Sequence, residues 1–125
     1  MTYKTRLAEL KLAFARLKEA MPEVKNQLDR DGAIQRFEFV FELTWKTLKD
    51  YAEDVGRLDV ASPKDSFRVA SDLGLIGDPL AWFDFLKNRN EATHMYSEQK
   101  AKEIFEQIPE FIKQVENLIL GISKA

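Results

Sequence analysis

The chain has 125 residues, of which 45% are hydrophobic and 32% are charged, proportions typical of a folded globular protein rather than of a disordered one. It contains no cysteine, which excludes disulfide scaffolds, cysteine-ligated zinc, iron–sulfur clusters and thiol catalysis. Nineteen basic and 21 acidic residues give a formal net charge of −2, which argues against a broad basic surface for nucleic acid.

No targeting or membrane segment is predicted. The charged residues Lys4, Arg6 and Glu9 interrupt any apolar run at the start of the chain. The longest apolar runs, such as residues 39–41, are too short to cross a bilayer. We therefore expect one cytoplasmic domain spanning residues 1–125, with no membrane contact.

The first predicted helix shows apolar residues at every third or fourth position, the spacing of one helical face. These residues are Leu7, Leu10, Phe14, Leu17, Met21, Val24 and Leu28. Pro22 lies within the pattern and lacks a backbone N–H, so the helix is expected either to kink there or to break and restart. The dipeptide Asp31-Gly32 predicts a turn before the second helix.

The second element is ambiguous, because residues 37–43 alternate between apolar and charged as a strand would. The apolar pattern from Ile34 to Val55 nevertheless extends over about 22 residues, more than a strand usually has. We predict a helix from about residue 33 to Val55, ended by Gly56. Its additional apolar residues favour a position at the centre of the fold or in a subunit interface; they are Phe39, Leu43 and Trp45.

Two further helices begin at serine–proline and aspartate–proline pairs. Ser62-Pro63 combines a capping side chain with a proline at a position where its missing N–H costs little, and the short helix it begins should stop at Gly74. Asp78-Pro79 repeats the signal for a fourth helix that leads toward His94.

The last helix is predicted to start at Ser97-Glu98 and to carry an apolar face to Ile119. Pro109 should kink or split this helix, and Gly121 should end it. No pair of strands competes with this interpretation. The sequence thus predicts an all-α fold, an up-and-down bundle of four or five helices joined by short connections.

The segment Arg89 to Tyr96 contains the residue types best suited to catalysis. The chain has no glycine-rich phosphate loop, HExxH motif or EF-hand loop, and one histidine cannot form a multi-histidine metal site. The single histidine of the chain is His94, and histidine is the side-chain type suited to proton transfer near neutral pH. On a helix, Asn90 would lie one turn before it and could hydrogen-bond its ring. Arginine could neutralise the charge on a phosphate while histidine moves a proton to or from the 2′-hydroxyl or the leaving oxygen.

The spacing within this segment creates a geometric problem. Arg89 precedes His94 by five residues, so ~100° per residue places them about 140° apart around a helix. Either the flexible arginine bends round, or two copies of the segment meet across a two-fold axis and form a shared pocket. Tyr96, near the expected helix end, could swing to the same side.

Each of these features also has a structural interpretation. His94 near a helix end could make a structural hydrogen bond, and Arg89 could be an ordinary solvated charge. The charges Glu38, Glu42 and Lys46, spaced by four, suit an exposed ladder at least as well as the wall of a site. Three nearby aromatic residues are expected to pack rather than to stack on bases, namely Trp82, Phe83 and Phe85.

Arg89-Asn90 followed by His94 and Tyr96 matches the RN-x3-H-x-Y signature of HEPN domains. The match is best to the small HepT-like proteins known as nucleotidyltransferase substrate-binding proteins. Residues 34–46, 62–64 and 104–111 also resemble that family, so the resemblance extends over nearly the whole chain.

The resemblance implies a helical bundle that pairs as a homodimer, with two motifs facing each other in a cleft. It further implies a toxin–antitoxin pair with a minimal nucleotidyltransferase, and RNA cleavage without a metal. Arg89 and His94 would then be catalytic, Asn90 would belong to the catalytic site and position them, and Tyr96 would be adenylylated by the partner. Two alternatives remain, a non-catalytic subunit that binds a nucleotide or substrate for the partner, and a structural helical adaptor.

Overall fold

The computed structural model describes residues 3–94 and 97–125, which form five α-helices and a short 3-10 turn. The elements are α1 (Tyr3–Ala20), the 3-10 turn (Met21–Glu23), α2 (Gln27–Asp54), α3 (Pro63–Asp72), α4 (Leu80–Ala92) and α5 (Glu98–Lys124). The predicted all-α bundle is confirmed. None of the described helices has both the length and the apolar run needed to cross a bilayer.

The chain breaks and restarts at Pro22, so the second of the two alternatives for this proline is the correct one. The predicted turn at Asp31-Gly32 is wrong. The side chain of Asn26 accepts the backbone N–H of Asp29 at 2.8 Å and caps α2, which therefore begins four residues before that dipeptide. As a result Leu28, predicted on the buried face of the first helix, lies on α2 and is 80% exposed.

Helix α2 is central, as one of the two alternatives for it predicted, because it contacts every other α-helix. Its end is the one predicted. Gly56 has a φ of +88°, and the N–H groups of Gly56 and Arg57 donate to the carbonyls of Glu53 and Ala52. This pair of hydrogen bonds is the usual way in which a left-handed glycine satisfies the last carbonyls of a helix.

The predicted starts of α3 and α4 are confirmed. The hydroxyl of Ser62 accepts the N–H of Asp65 at 3.2 Å, and the carboxylate of Asp78 accepts the N–H of Leu80 at 2.9 Å. Helix α3 also stops where expected, since Gly74 follows it with a φ of +75°.

Helix α5 is longer than predicted. Its start is confirmed, because the hydroxyl of Ser97 accepts the N–H of Lys100 at 3.0 Å. Pro109 does not split it, and Gly121 does not end it, since the helix runs on to Lys124. Buried apolar residues on both sides of Pro109 hold the two halves in one packed face. Gly121 is explained by packing rather than by a helix end. A Cβ at this position would lie 3.2 Å from the carbonyl oxygen of Leu75, so the glycine gives α5 room beside the α3–α4 connection.

An aromatic cluster joins α3, α4 and α5 to α2. Trp82 on α4 is fully buried, stacks on Phe67 with ring centroids 5.0 Å apart, and meets Phe85 and Phe111 edge to face. Phe111 in turn packs edge to face on Phe37 of α2. Trp82 and Phe85 therefore pack in the core as predicted, and Phe83 is partly buried against it. One core cluster holds buried residues of all five α-helices.

Gly32 and Gly121 provide a matched test of these helix assignments. A Cβ at Gly32 would meet no atom within 4 Å, so Gly32→Ala should raise the free energy of unfolding by roughly 0.5–1 kcal/mol through the lower backbone entropy of the unfolded chain. Gly121→Ala should gain less or lose stability, because its methyl group would crowd the Leu75 carbonyl. Urea denaturation at one fixed protein concentration measures both. A destabilising Gly32→Ala would contradict a helical position for this residue.

Candidate functional site

Arg89 occupies a position that the helix otherwise uses for the core. Trp82, Phe85 and Ala92 are the buried residues of α4, and Arg89 falls on the same stripe, one turn after Phe85. Its side chain is only 29% exposed. Because a charge removed from water is costly unless it is paired, an arginine here needs an acidic partner on the neighbouring helix.

Glu42 of α2 is that partner. Its Oε1 lies 3.0 Å from Nη2 of Arg89, and the Glu42 side chain is 30% exposed. Its other oxygen, Oε2, accepts the indole N–H of Trp45 at 3.2 Å and lies 3.6 Å from Nζ of Lys46. The charge ladder expected along α2 is formed in part, since Glu42 pairs with Lys46, and Glu42 also pairs across to Arg89 of α4.

The side chains around this ion pair line an open depression of about 230 Å³, and they are Gln35, Glu38, Phe39, Glu42 and Arg89. The ring of Phe39 is 62% exposed at its edge. Burial raises the pKa of the Glu38 carboxyl, and the charge of Arg89 opposes this effect but is the smaller of the two. Two carboxyl groups thus flank a single guanidinium group.

His94 lies beyond the end of α4 and is exposed. The hydroxyl of Thr93 donates to the carbonyl of Asn90 at 2.9 Å, and the backbone N–H of His94 donates to the carbonyl of Glu91 at 3.0 Å. Asn90 and His94 were expected on one helix, but α4 ends at Ala92. The predicted hydrogen bond between the Asn90 side chain and the His94 ring is not among those formed by the described residues.

Ion pairs anchor both ends of the connection that carries His94. Nζ of Lys100 on α5 lies 2.6 Å from Oε2 of Glu91 on α4, and hydrogen bonding to Glu91 is the main cause that raises the pKa of Lys100. At the start of α5, Glu98 pairs with Arg30 and Gln27 of α2, and the hydrogen bond from Arg30 lowers the pKa of Glu98. These contacts were not predictable from the sequence, because they join residues of different helices and local spacing gives no signal for such pairs.

The predicted site residues are therefore only partly brought together. The Arg89 side chain faces α2, whereas His94 and Asn90 are exposed at the end of α4. Tyr96, the predicted site of adenylylation, lies outside the described residues. Within residues 3–94 and 97–125, no three His, Asp or Glu side chains are grouped in a way that could hold a metal ion.

The protein is a small all-α domain. It carries an arginine in the last turn of α4 and a histidine just beyond that helix, and α4 packs beside the central helix α2. The sequence model of the family described as "Nucleotidyltransferase substrate binding protein like" matches residues 5–124. The chain belongs to this family, which confirms the resemblance inferred from the motif.

Similar proteins extend the comparison over nearly the whole chain. The chain is 33% identical to the probable ribonuclease HepT of Haemophilus influenzae over 131 residues, covering 90% of this chain and 88% of that protein. A crystal structure from Thermus thermophilus is 35% identical with a TM-score of 0.82, covering 88% of this chain and 95% of that one. A Haemophilus influenzae structure described as the fold of a substrate binding domain of a nucleotidyltransferase is 28% identical with a TM-score of 0.84, covering 94% and 98%.

The raised pKa of Glu38 predicts a pH-dependent stability. The folded protein holds the Glu38 proton more tightly than the unfolded chain, so the stability that protonation confers is present at low pH and is lost as the pH rises through the folded-state pKa. Glu38→Gln should therefore raise the melting temperature at pH 7, and the gain should vanish below about pH 4, where glutamate is protonated in both states.

Glu116→Gln is a suitable control for this experiment. It removes a carboxylate from an exposed ion pair between α1 and α5, in which Glu116 binds Lys18, and it should bring no such gain. If Glu38→Gln melts at or below the temperature of the wild type at pH 7, the raised pKa of Glu38 is contradicted.

Proposed function

We propose that this protein is a HEPN-type endoribonuclease that acts as a homodimer without a metal and is neutralised by a minimal nucleotidyltransferase partner. One observation carries the proposal: an arginine on the core stripe of α4 is held at an open depression, and an exposed histidine follows the end of the same helix. The name of the relative in Haemophilus influenzae, a probable ribonuclease, supports it.

The chemistry assigned to these residues is transfer of a phosphoryl group within RNA. The 2′-oxygen bonds to phosphorus, the bond to the leaving oxygen breaks, and one proton passes from the 2′-hydroxyl to the leaving oxygen. His94 moves that proton, and the guanidinium group of Arg89 neutralises the charge that grows on the phosphate oxygens. Asn90, in the last turn of α4, has the role of positioning the reacting groups.

The positions of the two residues support a pocket shared by two copies of the chain. Arg89 contacts Glu42 of α2, and His94 is exposed beyond the end of α4, where a second copy of the chain can reach it. The outer face of α2 exposes Leu28 and Phe39, and Phe39 also borders the depression beside Arg89. Apolar side chains exposed along one helix suit a protein interface. A second copy packed there would bring its own His94 toward this Arg89.

A non-catalytic nucleotide-binding subunit is the second candidate. The carboxyl groups of Glu38 and Glu42 at the depression favour it, because they repel the backbone of a long RNA more than they repel one phosphate held by Arg89. The description of the family and of the second structure as substrate binding points the same way. Calorimetry with nucleotides, with and without the partner enzyme, distinguishes the two functions, since tight binding without RNA cleavage fits this candidate alone.

The nuclease proposal predicts RNA cleavage by the purified protein in the presence of EDTA. Arg89→Ala and His94→Ala should each lower the rate by about 10²- to 10⁴-fold, the usual contribution of one acid–base or charge-stabilising group. Equal residual cleavage in all three preparations would indicate a contaminating nuclease and remove the support for an enzyme.

The two inactive variants also test the shared pocket. If Arg89 of one protomer acts with His94 of the other, an equimolar mixture after subunit exchange contains heterodimers with one intact pocket. About one quarter of the wild-type activity should then return. No recovery, despite subunit exchange shown by mass spectrometry, would argue against this arrangement.

We further predict that Tyr96 is adenylylated when the nucleotidyltransferase partner and ATP are present. The hydroxyl group would be lost in Tyr96→Phe, so intact-mass spectrometry should show added adenylate on the wild type and none on the variant. The same adduct on both proteins would place the modification on another residue.

A further inference from the structure

We propose that Glu42 is a positioning residue for Arg89, holding its guanidinium group so that one edge is fixed against α2 while the rest faces the depression. The inference rests on the proposed function, because it assigns to Glu42 the orientation of the group that would bind the scissile phosphate. Glu42 is not part of the motif Arg89 to Tyr96, because it lies on a different helix, α2.

The contacts of Arg89 limit how it can meet a ligand. Its Nη2 is bound by Glu42 at 3.0 Å. Its Nε is buried and has no hydrogen-bond partner among the described residues. The donors that remain for a phosphate are therefore the N–H groups of Nη1 and the second N–H of Nη2, and the contact of Nη2 with Glu42 sets their direction.

Glu42 is itself fixed, which a pair of free surface charges would not be. Its second oxygen accepts the indole N–H of Trp45, and Trp45 packs against the hydrophobic core. The backbone of Arg89 is held in turn by Phe85 and Ala92, its buried neighbours on α4. The row Trp45–Glu42–Arg89 is thus tied to the core at both ends, so the guanidinium group has little freedom to turn.

This arrangement predicts separate effects on kcat and KM. Without Glu42 the arginine keeps its charge and loses its orientation, so fewer bound substrates have the phosphate correctly placed. The same change removes a carboxylate that competes with the phosphate, so substrate binding should not weaken. A role in stability alone would lower the melting temperature and leave both kinetic constants unchanged.

The test is the steady-state cleavage of RNA by wild-type protein, Glu42→Gln and Glu42→Ala, together with melting temperatures. Glu42→Gln keeps the shape and an acceptor for Trp45, so it should fold even if Glu42→Ala does not. We expect kcat to fall by about 10-fold in Glu42→Gln and by about 100-fold in Glu42→Ala, with KM unchanged or lower. Glu116→Gln, a matched change in the ion pair with Lys18, should leave kcat and KM as in the wild type.

The outcomes separate this inference from the proposed function. If the wild type cleaves RNA in an Arg89-dependent manner and Glu42→Gln has the same kcat, the role of Glu42 is overturned and the nuclease stands. A rise in KM with an unchanged kcat likewise overturns it. If the wild type cleaves no faster than Arg89→Ala, the proposed function fails, and the role of Glu42 fails with it.

Discussion

The packing of α4 on α2 is the constraint on which the candidate site depends. Trp82 and Phe85 are large, buried and ringed by other aromatic side chains, so the rotation of α4 about its axis is set by the core. That rotation carries Arg89 into the α2–α4 interface, because it lies on the same stripe. Glu42 then makes a half-buried charge tolerable there. The core thus determines the direction of a side chain at the surface.

Much of the fold could be predicted from the sequence, because the signals for it are local. Serine caps, prolines at helix starts and glycines with positive φ act within one turn, and the starts at Ser62 and Ser97 and the stop at Gly56 follow such rules. The errors arose at two glycines and at Pro109, which lies inside α5 without splitting it. Gly32 and Gly121 were taken for breaks, but one is an open position within α2 and the other gives room for a neighbouring chain segment.

The site was predictable only in part for a related reason. The motif identified Arg89 and His94 from nearby residues, so the presence of an arginine at the candidate site was predictable. The identity of its partner was not, because which acidic residue of α2 faces α4 depends on the rotation of both helices. The contacts that anchor the His94 connection are also long-range, through Lys100 and Glu98. Side-chain pairs between helices require the packing to be known.

The electrostatics of the depression follow from this pairing. A lone arginine in a chain of net charge −2 would attract phosphate, but here Glu38 and Glu42 lie beside it and offset much of its field. Attraction over a distance is therefore weak, and under the proposed function recognition would rely on short contacts with the guanidinium group. A site of that kind would discriminate by geometry more than by charge, which suits a phosphate presented by a folded or already docked ligand.

Helix α2 links the core, the ion pair and the exposed face in one rigid element. Its buried side carries Phe37 and Phe41, one flank carries Glu42, and its outer face exposes Phe39. Since these side chains share one backbone, a partner packed against the outer face cannot shift α2 without moving Glu42, and with it Arg89. In the proposed homodimer, assembly on this face and the orientation of Arg89 would therefore be coupled through α2. The apolar residues of α2 that the core does not need thus lie beside the charges that hold the arginine.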